Sequence, residues 1–283
     1  MEIFDTHAHI LDKVYDEVAL SPLSDGEHQI RTRRDEILAR AARENFYIIE
    51  SALNDVEWEQ VVRLASETEN KNLFFTIGIH PHDATKYAGD DKKISVLIKR
   101  MKDIFISNKN RCLAIGEMGL DYHYKNSLPS DQKKIFKAQI ELALSELSAP
   151  VVIHCRDAYE DCFEILKSYS DRWRGVIHCF SGGVNEAEKF LSLGFCLGIT
   201  CPVTYPKSEK LKKVVAFAPT ERLLAETDSP YLPPSHLRGK VNEPANVRFV
   251  IEEIARIKGI SFEDAANATS VNARRLFGIE SKR

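Results

Sequence analysis

The sequence predicts a single α/β domain with the fold of a (β/α)8 TIM barrel, covering residues 1–283. Two observations support this fold. Short apolar runs alternate with longer segments of helical periodicity, and the eight runs are spread evenly along the whole chain. Repeated strand–helix alternation is typical of a closed parallel sheet surrounded by helices. An open, doubly wound sheet is the alternative fold.

The positions of potential metal ligands favour the barrel over the open sheet. Histidine and carboxylate side chains lie at or beyond the C-terminal ends of several apolar runs. A barrel gathers these ends around one axis, whereas an open sheet would hold the first and last strands far apart. The predicted strands cover residues 2–7, 46–51, 73–79, 112–117, 151–154, 175–179, 195–199 and 222–227.

Two of the intervening segments carry a clear helical pattern. Apolar side chains recur on one face of residues 131–147, and Ser130 is a plausible N-cap. Residues 246–258 show the same periodicity, and Gly259 is suited to end that helix. Both segments are therefore predicted to be helices.

The composition indicates an ordinary folded protein. Of the residues, 43% are hydrophobic and 29% are charged, and the net charge is −3. A protein that coats nucleic acid would more often be strongly basic, so a phosphate substrate would need local attraction. No apolar stretch approaches the ~20 residues that cross a bilayer, and the N-terminus lacks the pattern of a secretion signal. We expect a cytoplasmic protein without a membrane partner, with a monomer as the favoured state.

The six cysteines are expected to be reduced core residues, because none belongs to a CxxC pair. Cys155 and Cys179 each follow a candidate metal ligand. Strand alternation predicts that both point away from the ligands, towards the helices.

Six side chains form a candidate metal-binding set. His7 and His9 are two residues apart on one predicted strand and so point the same way. Four imidazoles and two carboxylates are enough to hold two divalent cations about 3.5–4 Å apart, with Mg, Mn and Zn among the suitable metals. The set consists of His7, His9, Glu117, His154, His178 and Asp228.

Asp228 has one predicted catalytic role, and two further residues, Glu226 and Arg156, have two interpretations each. Asp228 is suited to take a proton from an activated water as a general base. Glu226 either orients a histidine or is a buried structural acid. Arg156, two residues after His154, either binds phosphate through its planar guanidinium or pairs with an aspartate, Asp157 or Asp121.

Two segments are predicted to be loops at the active rim. Residues 12–29 are polar, residues 228–245 are rich in proline, and each segment follows a candidate strand. Tyr122, Tyr205 and Tyr231 lie in predicted rim loops, where an aromatic ring can stack on a base.

The order of short motifs along the chain resembles that of the TatD-type metal-dependent hydrolases, also called TatD DNases, of the amidohydrolase superfamily. The resemblance extends over nearly the whole sequence. The matching motifs are Asp5-Thr6-His7-Ala8-His9, Gly78-Ile79-His80-Pro81, Gly116-Glu117-Met118-Gly119-Leu120-Asp121-Tyr122, His154-Cys155-Arg156-Asp157-Ala158, His178-Cys179-Phe180-Ser181-Gly182, Glu226-Thr227-Asp228-Ser229-Pro230, Asn242-Glu243-Pro244 and Asn272-Ala273-Arg274-Arg275-Leu276-Phe277.

The resemblance implies a one- or two-metal centre. His7 and His9 would hold one ion, and His154 and His178 the other. Glu117 would bridge the two ions.

The resemblance also implies roles in the reaction. Asp228 would complete the first ion's shell and face the attacking water, and His80 would contact the substrate instead of a metal. The implied activity is that of a deoxyribonuclease, commonly a 3'-5' exonuclease on single-stranded DNA, with RNA as a further substrate.

Two other functions remain open at this point. The same activated water could attack a carbonyl, as in an amide or ester hydrolase such as an aminoacyl-tRNA deacylase. A non-enzymatic, metal-stabilised scaffold is the third hypothesis, but structural metal sites are usually closed and four-coordinate, without a candidate base.

Overall fold

Eight parallel strands form one curved sheet in the computed structural model of the chain, which describes residues 1–22, 28–68 and 70–280. Each strand pairs with the next in the order β1-β4-β5-β6-β7-β8-β9-β10. The strands of the described residues are β1 (Ile3–Ala8), β2 (Val18–Pro22), β3 (His28–Thr32), β4 (Phe46–Ala52), β5 (Leu73–Ile77), β6 (Cys112–Asp121), β7 (Val151–Arg156), β8 (Gly175–Ile177), β9 (Cys196–Ile199) and β10 (Leu223–Ala225).

The sheet closes where the end of β1 meets the segment after β10. Ala8 bridges to Ser229, and the amide of Asp228 donates to the carbonyl of His7 at 3.0 Å. The amide of His9 donates to the carbonyl of Ser229 at 2.7 Å. The predicted (β/α)8 barrel is therefore confirmed, and the open sheet is excluded.

Helices follow the barrel strands and cover their outer faces. They are α1 (Arg33–Arg43), α2 (Asp55–Glu67), α3 (Thr85–Ala88), α4 (Asp91–Ser107), α5 (Pro129–Glu141), α6 (Tyr159–Tyr169), α7 (Val184–Ser192), α8 (Glu209–Phe217), α9 (Val247–Lys258) and α10 (Phe262–Phe277), with a π-helical turn at Leu142–Leu147 after α5. Single 3₁₀ turns lie at Lys13–Asp16, Pro81–Asp83, Cys201–Thr204, Thr220–Arg222, Ser235–Leu237 and Pro244–Asn246. Among the described helices, none combines the length and the apolar character needed to span a lipid bilayer.

The predicted helix ends are partly right. Gly259 caps α9 with a positive φ of 67°, as expected from its lack of a side chain. Ser130 is not an N-cap, because α5 already begins at Pro129 and Leu128 occupies the cap position. Proline suits the first helical position, since its φ is fixed and its missing N–H has no helical partner there.

The predicted loop at residues 12–29 contains regular structure. A 3₁₀ turn at Lys13–Asp16 leads into β2, which pairs antiparallel with β3 in a separate ribbon where Val18 faces Thr32. Residues 23–27 of this predicted loop lie outside the described residues. The interpretation of the whole segment as an irregular loop is therefore wrong.

The N-terminal end of the barrel is filled by aromatic packing. The rings of Phe4 and Tyr47 stack with their centroids 4.4 Å apart. Arg274 of α10 lies over both rings and forms an ion pair with Glu2. This packing closes one end of the barrel and leaves the C-terminal ends of the strands for a site.

The packing of α5 on the barrel predicts a large loss of stability for Phe136→Ala. Phe136 is fully buried, and removing a buried phenyl ring typically destabilises a protein by about 3–5 kcal/mol. Urea denaturation should show this decrease in the free energy of unfolding. Val96→Ala on the exposed face of α4 is the control, with an expected change within about 0.5 kcal/mol. A loss for Phe136→Ala as small as that of the control would contradict the packing argument.

Candidate metal centre

The six predicted ligands meet at the C-terminal mouth of the barrel. His7 and His9 project from the end of β1 with their Nε2 atoms 3.3 Å apart. The His7 ring stacks on the His178 ring at a centroid distance of 3.4 Å. Together with Glu117, His154 and Asp228, these residues are called the candidate metal centre.

Glu117 occupies the middle of the candidate metal centre and is 2% exposed. Its Oε2 lies 3.2 Å from Nε2 of His7, and its Oε1 lies 2.6 Å from Nδ1 of His154. The same Oε1 is 3.4 Å from Nε2 of His80. One carboxylate thus faces imidazoles on both sides, which is the position that a bridging ligand needs.

Asp228 approaches the centre from the opposite wall. Its Oδ1 lies 3.3 Å from Nε2 of His9 and 3.5 Å from Nε2 of His178. The residue has a φ of 56°, so the chain turns sharply just after β10 and aims the carboxylate into the mouth. Aspartate tolerates this left-handed conformation better than most residues with a side chain.

The histidines group differently from the pairs implied by resemblance. His7, His9 and Asp228 offer three ligand atoms within 4.8 Å of one another, and so do His7, Glu117 and His178. His154 instead groups with Glu117 and His80. Within the described residues, no such group contains both His154 and His178. The structure therefore places His178 beside His7, at the first expected ion position. His80, which was expected to contact only the substrate, lies within the same ligand group as Glu117 and His154.

The donor set fits divalent cations. Glu117 and Asp228 have no Lys or Arg partner among the residues that the structure describes, and each instead faces several imidazole nitrogens. The Nε2 atoms of His7 and His9 point at each other. Nitrogen and carboxylate lone pairs that converge in this way suit a metal such as Zn, Mn or Mg.

The electrostatics keep both carboxylates ionised. Burial raises the pKa of Glu117, but His178, His80 and His7 outweigh it and hold the pKa well below its usual range. Burial opposes ionisation of Asp228 in the same way, and His178 and His9 overcome it, so that its pKa is also lowered. One buried and one partly buried anion, Glu117 and Asp228, are therefore available to ligate cations.

The histidines differ in their preferred charge. Burial lowers the pKa of His80 to about 4, with Glu117 opposing the effect only in part. Burial also disfavours protonated His154, but Asp121 and Glu117 reverse this and raise its pKa to about 9. A cation bound between the same groups would compete with that proton.

Glu226 orients His178 from behind, which settles the choice between its two interpretations. Its fully buried carboxylate accepts hydrogen bonds from Nδ1 of His178 and from the amide of Cys179, both at 3.0 Å. A Cβ atom at Gly198 would lie 2.3 Å from this carboxylate, so a glycine is required there. With Nδ1 engaged, the Nε2 lone pair of His178 is directed at the centre.

Asp121 and His82 belong to the site although the sequence analysis assigns neither a functional role. Oδ2 of Asp121 lies 3.0 Å from Nε2 of His154 and 2.9 Å from Nε2 of His82. His82 lies in the 3₁₀ turn at Pro81–Asp83, and its side chain is only 28% exposed. A usable signal is present, because Asp121 follows Glu117 by four residues on one strand and so shares its face.

Cys179 does not point towards the helices as predicted. Strand β8 ends at Ile177, and Cys179 adopts a φ of 44°, so strand alternation no longer applies to it. Its Sγ lies 3.3 Å from Oγ1 of Thr200, and it forms a potential ligand group with His178 and Asp228. The other cysteines, including Cys155, are free and buried as expected.

Arg156 forms neither of the salt bridges considered for it. Asp157 pairs with His123 at 3.0 Å, and Asp121 is occupied by histidines. Instead, the Arg156 guanidinium lies over the ring of Tyr124, with Cζ 4.8 Å from the centroid. The salt-bridge interpretation of Arg156 is therefore wrong, and its binding of phosphate stays a prediction.

The tyrosines predicted at the rim are held by hydrogen bonds. The hydroxyl of Tyr122 donates to Asp161 at 2.6 Å, and that of Tyr205 to the carbonyl of Pro233 at 2.8 Å. The Tyr231 hydroxyl donates to Asp12, and its ring lies 6.0 Å from that of His9. Of these three, Tyr231 is the one that lines the cavity above Glu117, whose volume is about 820 Å³.

Known proteins match the chain over nearly its full length. A family model described as TatD related DNase matches residues 4–278. The chain belongs to this TatD family. Its fold is that of the TatD homologue YJJV from Escherichia coli K12, with a TM-score of 0.81, 27% identity and 98% of each chain covered.

Two relatives of this TatD-family protein carry names that describe an activity. The metal-dependent hydrolase YabD of Bacillus subtilis, itself named uncharacterized, is 37% identical over 279 residues, covering 98% of this chain and 99% of the relative. The 3'-5' ssDNA/RNA exonuclease TatD of Citrobacter rodentium is 36% identical over 256 residues, covering 88% and 93%. The chain is thus a metal-dependent hydrolase of the TatD family.

The hydrogen bond from His178 predicts that Glu226→Gln weakens metal binding. The amide keeps an acceptor oxygen but removes the charge that raises the basicity of His178, so the affinity for Mn²⁺ or Zn²⁺ should fall by about tenfold. Titration of the metal-free protein by calorimetry measures this change. Glu252→Gln, on the surface of α9 beside Arg248, is the matched control. Equal affinities in the two variants would argue against the orienting role.

Proposed function

We propose that this TatD-family hydrolase is a 3'-5' exonuclease that cleaves phosphodiester bonds of single-stranded DNA, and of RNA as a second substrate. The observation that carries this proposal is the convergence of buried imidazoles and carboxylates on Glu117 at the mouth of the barrel. The name of the Citrobacter rodentium relative supports the choice of substrate. We assign the activity to one barrel covering residues 1–283.

Two divalent ions, Mg, Mn or Zn, are proposed as cofactors. His7, His9 and Asp228 would hold the first ion, with His178 at their side, and His154 would hold the second. Glu117 would bridge the two ions, as its contacts with His7 and His154 suggest. When bound, such ions lower the pKa of a coordinated water and neutralise charge on the phosphoryl oxygens.

Asp228 and Glu117 are proposed as the catalytic carboxylates. Asp228 would accept the proton of the attacking water while the water oxygen bonds to phosphorus and the bond to the leaving oxygen breaks. The leaving oxygen takes up a proton from solvent. The Asp228 carboxylate is aimed at the mouth of the barrel by its contacts with His9 and His178. Glu117 would keep the ligand side chains in their relative positions.

His80 and Arg156 are proposed to bind the substrate. The lowered pKa of His80 keeps its ring neutral at pH 7, so one ring nitrogen carries a proton that can be donated to a phosphoryl oxygen. Arg156 is exposed at the end of β7, where its planar guanidinium suits a phosphate.

Removal of metal should abolish nuclease activity. Purified protein is expected to shorten a 5'-labelled single-stranded oligonucleotide stepwise with Mn²⁺ or Mg²⁺ and to stop when EDTA is added. A product ladder on a denaturing gel records both the activity and its direction. Failure to cleave with Mg²⁺, Mn²⁺ or Zn²⁺, combined with turnover of an aminoacyl-tRNA or another ester, would replace the nuclease by an acyl hydrolase.

Asp228→Asn should reduce the cleavage rate by a factor of about 10²–10⁴, which is the usual contribution of a general base. The amide cannot accept the proton, although its size and position are unchanged. Single-turnover kinetics on the labelled oligonucleotide measure the rate. Asp103→Asn on the exposed face of α4, where Asp103 pairs with Lys99, is the control. An Asp228→Asn variant that turns over as fast as this control would refute the proposed role.

A further inference from the structure

Arg156 and Tyr124 form an exposed pair at the edge of the cavity that contains Glu117 and Asp228. The guanidinium lies over one face of the ring, and Tyr124 remains 45% exposed. A cation above an aromatic face is attracted by the negative charge of that face. The contact therefore restricts a side chain that would otherwise sample many conformations in solvent.

The guanidinium of Arg156 keeps its hydrogen-bonding capacity. Within the described residues, its side chain forms no ion pair or hydrogen bond, because Asp157 and Asp121 have histidine partners. An arginine offers five N–H donors in a planar arrangement that matches a phosphate. A held but unpaired guanidinium beside a phosphodiesterase centre is thus prepared for an anion.

The carboxylate of Asp121 contacts both a candidate metal ligand and the turn that carries Tyr124. Oδ1 of Asp121 accepts hydrogen bonds from the amides of His123 and Tyr124, each at 2.9 Å, which shape the turn that carries the Tyr124 ring. Its Oδ2 contacts Nε2 of His154 at 3.0 Å. The Tyr124 ring is therefore positioned relative to a candidate ligand by one residue.

The spacing along β7 places the Cα atom of Arg156 a short distance beyond that of the candidate ligand His154. Arg156 follows His154 by two residues on the same face of the strand, which corresponds to a rise of about 6.6 Å. This distance is comparable to that between neighbouring phosphates of an extended strand. A phosphate on Arg156 and a phosphate at the metal centre can therefore belong to one chain.

The charges on the other side of the cleft also favour a substrate strand that leaves the centre past Arg156. Beyond His9, a second cavity of about 700 Å³ has arginines that are already paired with carboxylates, Arg34 with Asp16 and Arg63 with Glu67. A paired guanidinium attracts a polyanion less than an unpaired one, so the strand should leave the centre on the side of Arg156.

We propose that Arg156 and Tyr124 form a subsite for the nucleotide next to the cleaved bond. Arg156 binds the phosphate of this nucleotide, and the exposed part of the Tyr124 ring stacks on its base. This inference deepens the proposed nuclease function and rests on it. Because stacking tolerates any base, the subsite selects unpaired nucleotides without selecting a sequence.

The test uses oligonucleotides that are altered on either side of the terminal linkage. One substrate lacks the base of the neighbouring nucleotide, and another carries an uncharged methylphosphonate in place of the neighbouring phosphate. The values of kcat and KM are compared with those of the unmodified strand for the wild type, Tyr124→Ala, Tyr124→Phe and Arg156→Ala. Tyr169→Ala, at the end of α6 where the hydroxyl contacts Glu141, controls for the loss of an aromatic ring elsewhere.

The wild type should lose about tenfold in kcat/KM, mainly through KM, when the base is absent, because stacking on one aromatic ring contributes about 1.4 kcal/mol at this ratio. Tyr124→Ala should lose about as much on the intact strand and should no longer respond to the missing base. Tyr124→Phe should behave as the wild type. Arg156→Ala should no longer respond to the methylphosphonate, whereas Tyr169→Ala should respond to both changes.

The subsite is overturned if Tyr124→Ala and Arg156→Ala discriminate between the substrates as strongly as the wild type does. A binding measurement separates this failure from failure of the proposed function. With Ca²⁺ in place of Mn²⁺, the fluorescence anisotropy of a labelled single strand should give a Kd about tenfold higher for Tyr124→Ala and Arg156→Ala than for Tyr124→Phe. Equal Kd values reject the subsite even if strands are cleaved, and absent cleavage with unequal Kd values rejects only the nuclease.

Discussion

The burial of the Glu117 carboxylate among imidazoles is the interaction on which the rest of the site depends. Glu117 is 2% exposed and faces His7, His80 and His154 instead of a lysine or an arginine. An ionised carboxylate is stable in such a place only if positive charge is supplied nearby. His154, whose pKa is raised to about 9, supplies it in the absence of metal, and divalent cations would supply it without a proton. The barrel mouth is therefore arranged so that metal binding satisfies a charge that the fold has already buried.

This arrangement places demands on the residues behind the ligands. Asp5 is fully buried and accepts hydrogen bonds from the amide and hydroxyl of Thr227, which join the ends of β1 and β10 where the barrel closes. Asn242 donates to the carbonyls of Thr227 and Tyr231 and so fixes the turn that carries Asp228. The geometry of the candidate ligands is thus set by hydrogen bonds within the rim.

The barrel and its ligands were predictable because both follow from local rules. All eight predicted runs are strands. The strands of a parallel sheet are buried on both faces and therefore appear in the sequence as short continuous apolar runs. The convergence of His7 and Asp228, which are far apart in sequence, followed from the closure of the barrel. Glu226 was also recognisable, because its position two residues before Asp228 places it on the same side, deeper in the barrel.

The remaining features depend on backbone geometry that periodicity does not record. Cys179 turns into the site because β8 is only three residues long and the next residues leave the strand conformation. Strand β6 is longer than predicted and continues to Asp121, which brings that carboxylate to His154. The grouping of His178 with His7 instead of His154 arises from the ring stacking at 3.4 Å. The contacts of Cys179 and of His178 have no spacing signature in the sequence, whereas that of Asp121 has one in its spacing from Glu117 on β6.

Asp121 connects the chemistry of the centre to the recognition of the strand. Its two oxygens serve different purposes, since one meets the imidazoles of His154 and His82 and the other holds the turn of Tyr124. A change at Asp121 would therefore disturb ligand and subsite together, and its effect on turnover would not separate them. The Tyr124 side chain is 45% exposed, its ring meets those of His82 and His123 at nearly right angles, and Asp121 holds only its backbone amide. Because the ring takes no part in the contact between Asp121 and His154, it can be altered while that contact with a candidate ligand is kept.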